Sequence, residues 1–329
     1  MLHKTLAIVA LAALIALLPG CDRPTPEDTN AASSERPQVL CTIGMVTDIA
    51  RAVAGDRADV SGLLRAGIDP HLYSPTRDDI AALLAADIIF YNGLVLEGKM
   101  TDAFVRAATS GRKVHAVTEL VPAEALLEPD GPEGYPDPHL WMDPTAWKLA
   151  VDVIRDALTE FDPEGADIYE SNASAYQSEL DALHEYTIAS FNTIPTDARI
   201  LITAHDAFNY LGNRYDFEVM GIQGLSTESE AGLQQIESLV GILADRSIPA
   251  VFAESTVNDR GVRALISGAA ARGHEVSIGG ELFSDAMGPE GTYEGTYLGM
   301  IDHNVTTITR ALGGQAPERG RLGRLGSAE

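Results

Sequence analysis

Two histidines, His71 and His139, each follow an Asp-Pro step within the repeated tetrapeptide Asp-Pro-His-Leu. Proline fixes the backbone before each imidazole, and the preceding aspartate can accept hydrogen bonds from nearby backbone amides. A third histidine, His205, comes two residues after the apolar run ILIT, and Asp285 lies in the loop GGELFSDAMG. Three imidazoles and one carboxylate suit a divalent transition metal from Mn²⁺ through Zn²⁺. The alternative to a metal site is that these are four ordinary loop residues whose side chains hydrogen-bond to other groups of the protein.

The positions of these residues relative to predicted strands favour a shared site. His71 comes a few residues after one predicted strand, and His205 and Asp285 follow two others. In open α/β sheets, ligands bind outside the carboxyl ends of the strands. His139 lies on a Pro-rich loop that closes the first half of the chain. We therefore expect all four side chains at one edge of the molecule.

Short apolar runs alternate with helical patterns along most of the chain. The predicted strands are Val39–Ile43, Val60–Leu64, Ile88–Asn92, Lys113–Val117, Ile200–Thr203, Glu218–Gln223, Ala250–Ala253 and Glu275–Ile278. The predicted helices between them include Thr76–Ala85, Lys99–Ala108, Leu233–Ala244 and Asp259–Ala271. Such alternation predicts an α/β fold with a parallel sheet in each half, flanked by helices.

One long helix (164–190) is predicted between the halves, because Ala166–Ser190 contains neither Gly nor Pro. An apolar stripe with helical spacing runs along it: Tyr169, Ala173, Tyr176, Leu180, Leu183 and Thr187. A helix of this length spans roughly 40 Å and is a stiff connection. We therefore divide the chain into an N-terminal α/β lobe (38–163), a connecting helix (164–190) and a C-terminal α/β lobe (191–313).

The N-terminus predicts export. Residues 1–20 combine Lys4 with the unbroken apolar run Leu6–Leu18, which is typical of a signal peptide. The run ends in LPGC, which resembles a bacterial lipobox and predicts lipidation of Cys21; an ordinary signal peptide cleaved nearby is the alternative. The following residues 21–37 are rich in Pro, Ser, Thr and charge and predict a flexible tether.

The remaining composition adds three expectations. Cys41 sits in an apolar run and is expected to be a buried free thiol, with a disulfide to Cys21 as the alternative if that residue is not lipidated. Residues 314–329 are predicted to form a disordered tail. The formal net charge of −25 argues against a nucleic-acid partner.

At the candidate ligands the chain closely resembles the zinc- and manganese-binding solute-binding proteins of ABC importers. The resemblance spans roughly Pro37–Leu312 and includes GIDPHLYSPTRDD, DPHLWMDP, ILITAHDAFNYLGNRYDFEVMGIQG, FAESTV and GTYEGTYLGMIDHN. It implies two α/β lobes joined by one long rigid helix, with the ion buried in the cleft between them. It also implies four metal ligands, of which the N-terminal lobe supplies two and the C-terminal lobe two: His71, His139, His205 and Asp285.

Three carboxylates near these ligands, Asp143, Asp206 and Glu254, are candidates for orienting the imidazoles. Such groups accept a hydrogen bond from the ring nitrogen that does not bind metal. The alternative for each is a solvated carboxylate or one that caps a loop.

The resemblance implies a function and a cargo. The protein would be an extracytoplasmic substrate-binding protein, anchored in the membrane by its lipid and facing the periplasm or cell exterior. It would deliver a divalent metal ion to an ABC permease and its ATPase, and it would not be an enzyme. Zinc-specialised relatives often carry a long histidine-rich loop before the second ligand, whereas Val121–Asp137 is short and has no histidine. Manganese-specialised members often have Glu where this chain has His205. The closing segment resembles members that accept both metals, so we predict Mn²⁺ first and Zn²⁺ a close second.

The sequence leaves two other functions open. A metallohydrolase could use a three-histidine, one-aspartate site if one coordination position stayed open to water. Against it, the chain has no H-E-x-x-H helix. A secondary role as a surface adhesin is the other alternative.

Overall fold

The computed structural model describes residues 36–128 and 134–326. The predicted signal peptide, Cys21 and all but the last two residues of the predicted tether lie outside the described residues. Among the described residues, no helix is both long and apolar enough to cross a membrane.

The first half of the chain forms a four-stranded parallel sheet with the strand order β2-β1-β3-β4. Its strands are β1 (Gln38–Cys41), β2 (Asp59–Gly62), β3 (Ile88–Tyr91) and β4 (Lys113–Ala116). Its helices are α1 (Gly44–Ala54), α2 (Arg77–Ala85), α3 (Thr101–Thr109) and α4 (Pro144–Phe161). The central strands β1 and β3 are almost continuously buried, as expected for parallel strands covered on both faces.

Local sequence signals explain where two of these helices begin. At α2, the Thr76 hydroxyl accepts the backbone N–H of Asp79 and the Asp79 carboxylate accepts the backbone N–H of Thr76, which is a capping box. At α4, Asp143 accepts the backbone N–H of Thr145, and Pro144 occupies the first helical position. The start of α4 matters for the site because it lies five residues after His139.

The second half contains two pairs of parallel strands, β5–β6 and β7–β8, with β5 also lying beside β7. The strands are β5 (Ile200–Thr203), β6 (Glu218–Gly221), β7 (Ala250–Glu254) and β8 (Ser277–Leu282). The helices are α6 (Asn209–Tyr215), α7 (Leu233–Asp245), α8 (Arg260–Ala271) and α9 (Tyr297–Ala311). The predicted α/β class with parallel sheets flanked by helices is confirmed.

Helix α5 (Ala166–Phe191) joins the halves and confirms the predicted long helix. Five members of its predicted stripe are buried, and Tyr176 is partly buried against the same cluster. The stripe packs on α1 and α4 from the first half and on α9 from the second. One hydrophobic cluster therefore runs through both halves, from Val39 to Leu312.

Two expectations from the sequence differ from the structure. Strand β8 was predicted to end at Ile278, but it continues through Gly279 and Gly280 to Leu282. The sequence placed both glycines in the following loop, but they belong to the strand and allow close packing, because a Cβ on Gly279 would lie 2.8 Å from the Phe252 ring. The longer β8 depends on packing against a distant part of the chain, which a local sequence pattern does not reveal.

The C-terminal segment also differs from the predicted disordered tail, as far as residue 326. These residues form turns, and Leu325 is buried. The backbone N–H of Arg321 donates to both carboxylate oxygens of the buried Asp302 on α9, at 2.9 and 3.0 Å. The guanidinium of Arg324 lies 4.4 Å from the centre of the Tyr293 ring. One buried leucine and a few backbone bonds hold the segment despite its Gly-rich, charged composition.

Candidate metal centre

The two Asp-Pro-His steps form the same local turn. Asp69 Oδ1 accepts the backbone N–H of His71 at 2.8 Å, and Asp137 Oδ1 accepts that of His139 at 2.9 Å. In both steps the aspartate side chain folds back over the proline to a backbone amide two residues on, which fixes the direction of the imidazole. The repeated Asp-Pro-His sequence therefore forms the same turn twice, and each turn fixes a histidine within its loop.

Strand ends bring the other two residues to the same place. His205 comes two residues after the end of β5, and Asp285 comes three residues after the end of β8. Since parallel strands present their carboxyl ends at one edge, loops that follow these strands meet there. His71 reaches the same point from the loop after β2, and His139 from the loop before α4.

The four side chains converge on one point and are almost wholly buried. One nitrogen or carboxylate oxygen from each lies within 4.8 Å of those of the others. The Nε2 atoms of His71, His139 and His205 lie 3.7, 3.4 and 3.3 Å from the nearer carboxylate oxygen of Asp285. The ring centres of the three imidazoles are 5.3 to 6.0 Å apart. Rings at this spacing surround a common centre with their Nε2 edges inward.

Every atom that faces this centre lacks a hydrogen-bond partner among the described residues. These atoms are Nε2 of each histidine and both carboxylate oxygens of Asp285, and all are buried. Buried polar atoms in native proteins are nearly always hydrogen-bonded, and each exception requires an explanation. Five such atoms around one point are explained by a cation that all of them contact. The reading of these residues as ordinary loop histidines satisfied by hydrogen bonds does not account for them.

Two imidazoles are oriented by buried carboxylates through Nδ1. His139 Nδ1 lies 2.7 Å from Asp137 Oδ1, and His205 Nδ1 lies 2.5 Å from Glu254 Oε2. The other oxygen of Glu254 accepts the backbone N–H of His205 at 2.8 Å. A carboxylate that accepts a hydrogen bond from Nδ1–H keeps the proton on that nitrogen and leaves Nε2 available as a ligand. Among the described residues, no carboxylate lies within hydrogen-bond distance of Nδ1 of His71.

The charges at the centre also separate His71 from His139 and His205, in this case through the pKa values of the imidazoles. Burial alone would lower the pKa of His139, but Asp137 and Asp285 outweigh it and raise the pKa to about 9. For His205, burial is opposed by the charges of Asp285 and Glu254, which raise its pKa well above the usual range. Burial lowers the pKa of His71 to about 3, so this imidazole is neutral. Burial opposes ionisation of Asp285, yet His205 and His139 hold its pKa well below the usual range.

Of the three carboxylates predicted to orient the imidazoles, the structure brings only Glu254 to a ring nitrogen. Asp143 instead caps α4 and pairs with Arg214 Nε at 2.8 Å. Asp206 lies beside His205 in sequence, but no hydrogen bond joins its carboxylate to an imidazole of the described chain. Sequence reasoning missed Asp137 as the partner of the His139 ring. The Asp-Pro-His step itself contained a signal for this contact, because its aspartate stands two residues before the histidine whose ring it contacts.

The loop that carries His139 is bonded mainly to residues that follow α5. Asn209 Nδ2 and Tyr210 Oη donate to Oδ2 and the backbone oxygen of Asp137, at 3.1 and 2.9 Å. Further along the loop, the Trp141 indole donates to the backbone oxygen of Ser284 at 2.9 Å, directly before Asp285. On the side of the first half, Asn92 Nδ2 donates to the backbone oxygen of Pro138 at 3.0 Å. His139 therefore precedes α5 in sequence but is held largely by the second half.

The sequence and the fold both match known proteins. The chain matches the family described as "Zinc-uptake complex component A periplasmic" (ZnuA) over residues 39–311, which is most of its length. The chain belongs to this family. The resemblance inferred from the sequence is thereby confirmed.

Relatives of the chain carry one metal or the other in their names. The chain is 43% identical over 283 residues to the "Zinc-binding protein TroA" of Treponema pallidum, covering 86% of this chain and 91% of that protein. It is 40% identical over 295 residues to the "Manganese-binding lipoprotein MntA" of Bacillus subtilis, covering 90% and 95%. The solved structure of the periplasmic zinc-binding protein TroA from Treponema pallidum matches with a TM-score of 0.81 at 42% identity, covering 84% of this chain and 99% of that chain.

Proposed function

We propose that this ZnuA-family protein captures a divalent transition-metal ion, Mn²⁺ first and Zn²⁺ a close second, and delivers it to an ABC permease and its ATPase. The observation that carries the proposal is the convergence of His71, His139, His205 and Asp285 within 4.8 Å. The ion is the cargo. The names of the relatives support the same reading, since one is called manganese-binding, one zinc-binding, and a third, of Streptococcus mitis, a manganese ABC transporter substrate-binding lipoprotein.

The ligand set suits both metals. Imidazole nitrogen is a good ligand for Zn²⁺, and the general order of metal affinities places Zn²⁺ above Mn²⁺ at any such site. Affinity alone therefore does not decide the cargo; metal supply and the transporter do. Four buried protein ligands also tend to close a tetrahedral site, which favours holding the ion over hydrolytic catalysis at an open position. The proposal is accordingly a binding protein and not a metallohydrolase.

The proposed ion would join the two halves of the chain. His71 is attached to the first half, whereas His205 and Asp285 follow α5. Two polar contacts near the site span the same division: Thr227 Oγ1 donates to Asp69 Oδ2 at 2.6 Å, and Lys99 lies 3.5 Å from Glu228. A cleft between two lobes that closes around the ion is consistent with these contacts. α5, packed on both halves, would limit how far they move.

The proposed location is the membrane surface outside the cytoplasm, through lipid on Cys21. The supporting observation is the LPGC sequence after an apolar run, together with relatives that are named lipoproteins. Membrane fractionation of wild type and Cys21→Ser tests it. The variant is expected in the soluble fraction with unchanged metal binding, and a variant that stays with the membrane would contradict the anchor.

The metal proposal is tested by elemental analysis of protein purified without added metal, followed by competition between Mn²⁺ and Zn²⁺. We expect one ion per chain, and its loss in His205→Ala. The matched control is His303→Gln, because His303 is not one of the four converging residues and its Nε2 donates to the backbone oxygen of Glu281 at 2.9 Å. Stoichiometric metal in His205→Ala, or none in wild type after incubation with either ion, would contradict the proposal.

A further inference from the structure

Asn304 lies on α9, which packs against β8, and its side-chain amide bonds to the backbone just before Asp285. Asn304 Oδ1 accepts the backbone N–H of Phe283 at 2.9 Å, and Asn304 Nδ2 donates to the backbone oxygen of Phe283 at 2.7 Å. Phe283 directly follows the end of β8, so the amide continues the hydrogen bonding of the strand by one residue. This reciprocal pair of bonds fixes the backbone two residues before Asp285.

The residue type at position 304 fits this pair of bonds. Asparagine is a poor helix former, and a buried amide without partners is destabilising. Asn304 is only 1% exposed, and its oxygen and nitrogen both bond to one peptide backbone. Aspartate would lack the donor, leucine would lack both groups, and the amide of glutamine would lie one methylene further from the helix. Asparagine therefore serves this contact better than any of these three.

Asp285 depends on its backbone for its position more than two of the other candidate ligands do. Carboxylates hold the rings of His139 and His205 through Nδ1. In contrast, no side chain of the described residues donates to either carboxylate oxygen of Asp285. The peptide units that lead to Asp285 are held from two sides, by the Asn304 amide and by the Trp141 indole. Asn304 supplies two of these three bonds and therefore helps to set the direction of the Asp285 carboxylate.

Both oxygens of that carboxylate face the imidazoles. Asp285 Oδ1 lies 3.4 Å from His139 Nε2. Asp285 Oδ2 lies 3.3 Å from His205 Nε2 and 3.7 Å from His71 Nε2. A carboxylate turned in this way can offer both oxygens to one ion. A shift of the backbone before Asp285 would turn the group and leave one oxygen within reach.

The number of oxygens offered affects the two candidate ions differently. Mn²⁺ favours carboxylate oxygen and water and commonly takes more than four ligands. Zn²⁺ is content with a tetrahedral site, which three imidazoles and one carboxylate oxygen complete. Loss of one Asp285 oxygen should therefore weaken the binding of Mn²⁺ more than the binding of Zn²⁺.

We propose that Asn304 is a positioning residue that holds Asp285 with both oxygens toward the ion and thereby favours Mn²⁺ relative to Zn²⁺. The inference rests on the proposed function and names a residue that tunes the same site. Asn304 lies in the segment GTYEGTYLGMIDHN, which carries part of the family resemblance but none of the four converging residues. It acts on the ion only through the backbone of Phe283.

The test compares wild type, Asn304→Ala and Asn304→Gln in competition with a coloured chelator, for Mn²⁺ and Zn²⁺ separately. In Asn304→Ala, Mn²⁺ binding should weaken about tenfold or more, as when a group that orients a ligand is lost. Zn²⁺ binding should weaken about threefold or less, because one carboxylate oxygen still completes its site. Asn304→Gln keeps the amide but moves it outward, so it should fold even if Asn304→Ala does not. It should shift the ratio of the two affinities in the same direction.

A measurement without metal checks the contact itself. The backbone N–H of Phe283 should exchange with solvent about fivefold faster or more in Asn304→Ala than in wild type, as expected for the loss of one hydrogen bond. The matched control is Asn172→Ala. Asn172 Nδ2 also donates to a backbone oxygen, that of Val53 at 3.0 Å, where α5 packs on α1. This variant should keep the wild-type ratio of affinities and the wild-type exchange of Phe283.

Each contrary result overturns the inference. Equal losses of Mn²⁺ and Zn²⁺ binding in Asn304→Ala mean that Asn304 supports the fold and not the choice of ion. If Asn304→Ala does not fold, an unchanged ratio in Asn304→Gln has the same meaning. The same change of ratio in Asn172→Ala indicates a general loosening of the protein. If wild type binds neither ion, the proposed function fails and the inference fails with it, whereas unchanged ratios in variants of a wild type that binds both ions overturn the inference alone.

Discussion

Asp137 contacts His139 at two points, because its Oδ1 accepts the backbone N–H at 2.9 Å and lies 2.7 Å from the ring Nδ1. One carboxylate therefore fixes both the loop and the ring. Its second oxygen accepts Asn209 Nδ2 at 3.1 Å, which ties this arrangement to α6. The contact makes Asp137 a residue that positions a candidate ligand without facing the ion.

Replacing Asp137 with Asn should weaken metal binding by about ten- to a hundredfold, the usual effect of losing a carboxylate behind a ligating imidazole. The amide keeps the shape of the side chain but not the charge that holds the Nδ1 proton. Competition with a coloured chelator, for both Mn²⁺ and Zn²⁺, measures the change.

The matched control for this experiment is Asp143→Asn. Asp143 is also a buried loop aspartate near His139, but its bonds go to Thr145 and Arg214. Asn remains a good helix cap, so metal affinity should stay near that of wild type. A larger loss of affinity in Asp143→Asn than in Asp137→Asn would restore the expectation drawn from the sequence.

Local signals in the sequence mark His71, His139 and His205, whereas Asp285 lies several residues beyond the predicted end of its strand. The Asp-Pro-His steps and the strand end before His205 are short-range patterns that survive without a structure. The partners of the rings are not local in the same way. Glu254 reaches His205 because β7 lies beside β5, so the ends of the two strands meet. Asp206 stands next to His205 in sequence, but its carboxylate forms no hydrogen bond to an imidazole of the described chain.

Periodicity predicted α5 well, since a helix without Gly or Pro shows its buried face directly in the sequence. It did not predict the C-terminal segment. There, one buried side chain, Leu325, and bonds from backbone amides to Asp302 supply the order. Backbone amides are the same in every residue, so composition does not reveal which of them find a partner.

Replacing Leu325 with Ala should lower the free energy of unfolding by about 2 kcal/mol, the lower end for a buried leucine, because the segment can relax around the lost methyl groups. Leu322→Ala is the matched control, since Leu322 is 51% exposed and its loss should change stability by less than about 0.5 kcal/mol. Urea unfolding of both variants measures the difference. Equal stability of the two variants would mean that the C-terminal segment is not packed in solution.

The ion pair between Arg57 and Asp162 should make stability depend on pH. Arg57 Nη2 lies 2.6 Å from Asp162 Oδ2, and Tyr169 Oη donates to the same oxygen at 2.7 Å, just before α5. Partial burial would raise the pKa of Asp162, but the hydrogen bonds from Arg57 and Tyr169 outweigh it and lower the pKa. A lowered folded-state pKa stabilises the fold above the unfolded value of about 3.9, and that stabilisation is lost as pH falls through the folded value.

Asp162→Asn should therefore cost about 1 kcal/mol at pH 7, a figure reduced because Arg57 is about one third exposed. The difference from wild type should shrink as the pH falls below about 4. Urea midpoints measured from pH 7 to pH 3.5 test this. Asp156→Asn, which removes an exposed carboxylate paired with Arg155, should show almost no difference at either pH. If the stability difference between Asp162→Asn and wild type does not change with pH, the charge of Asp162 is not its source.

The last prediction concerns the metal-free protein and separates two of the candidate ligands. Asp285 lies between His139 and His205, both of whose pKa values are raised, whereas His71 is neutral. Removing Asp285 takes away the counter-charge that the two rings share, but each ring keeps its own carboxylate, Asp137 for His139 and Glu254 for His205. Asp285→Ala should therefore destabilise the metal-free fold by at most about 3 kcal/mol, the lower end for breaking a buried ion pair. His71→Ala removes no charge and should change the metal-free fold by much less.

The response to metal should be alike in the two variants. At about 1,000 times the dissociation constant, a bound ion adds about 4 kcal/mol to wild type, and both variants should lose most of that gain. Thermal melting with and without Mn²⁺ or Zn²⁺ measures both effects, with His303→Gln as a control that should keep the full metal-induced shift. If His71→Ala melts normally without metal and fails to respond to it, the ion needs a ligand from the first half and joins that half to the second. If His71→Ala keeps the full shift, the ion is held by His139, His205 and Asp285 alone, and because these three are anchored on the second half, binding would not close the molecule.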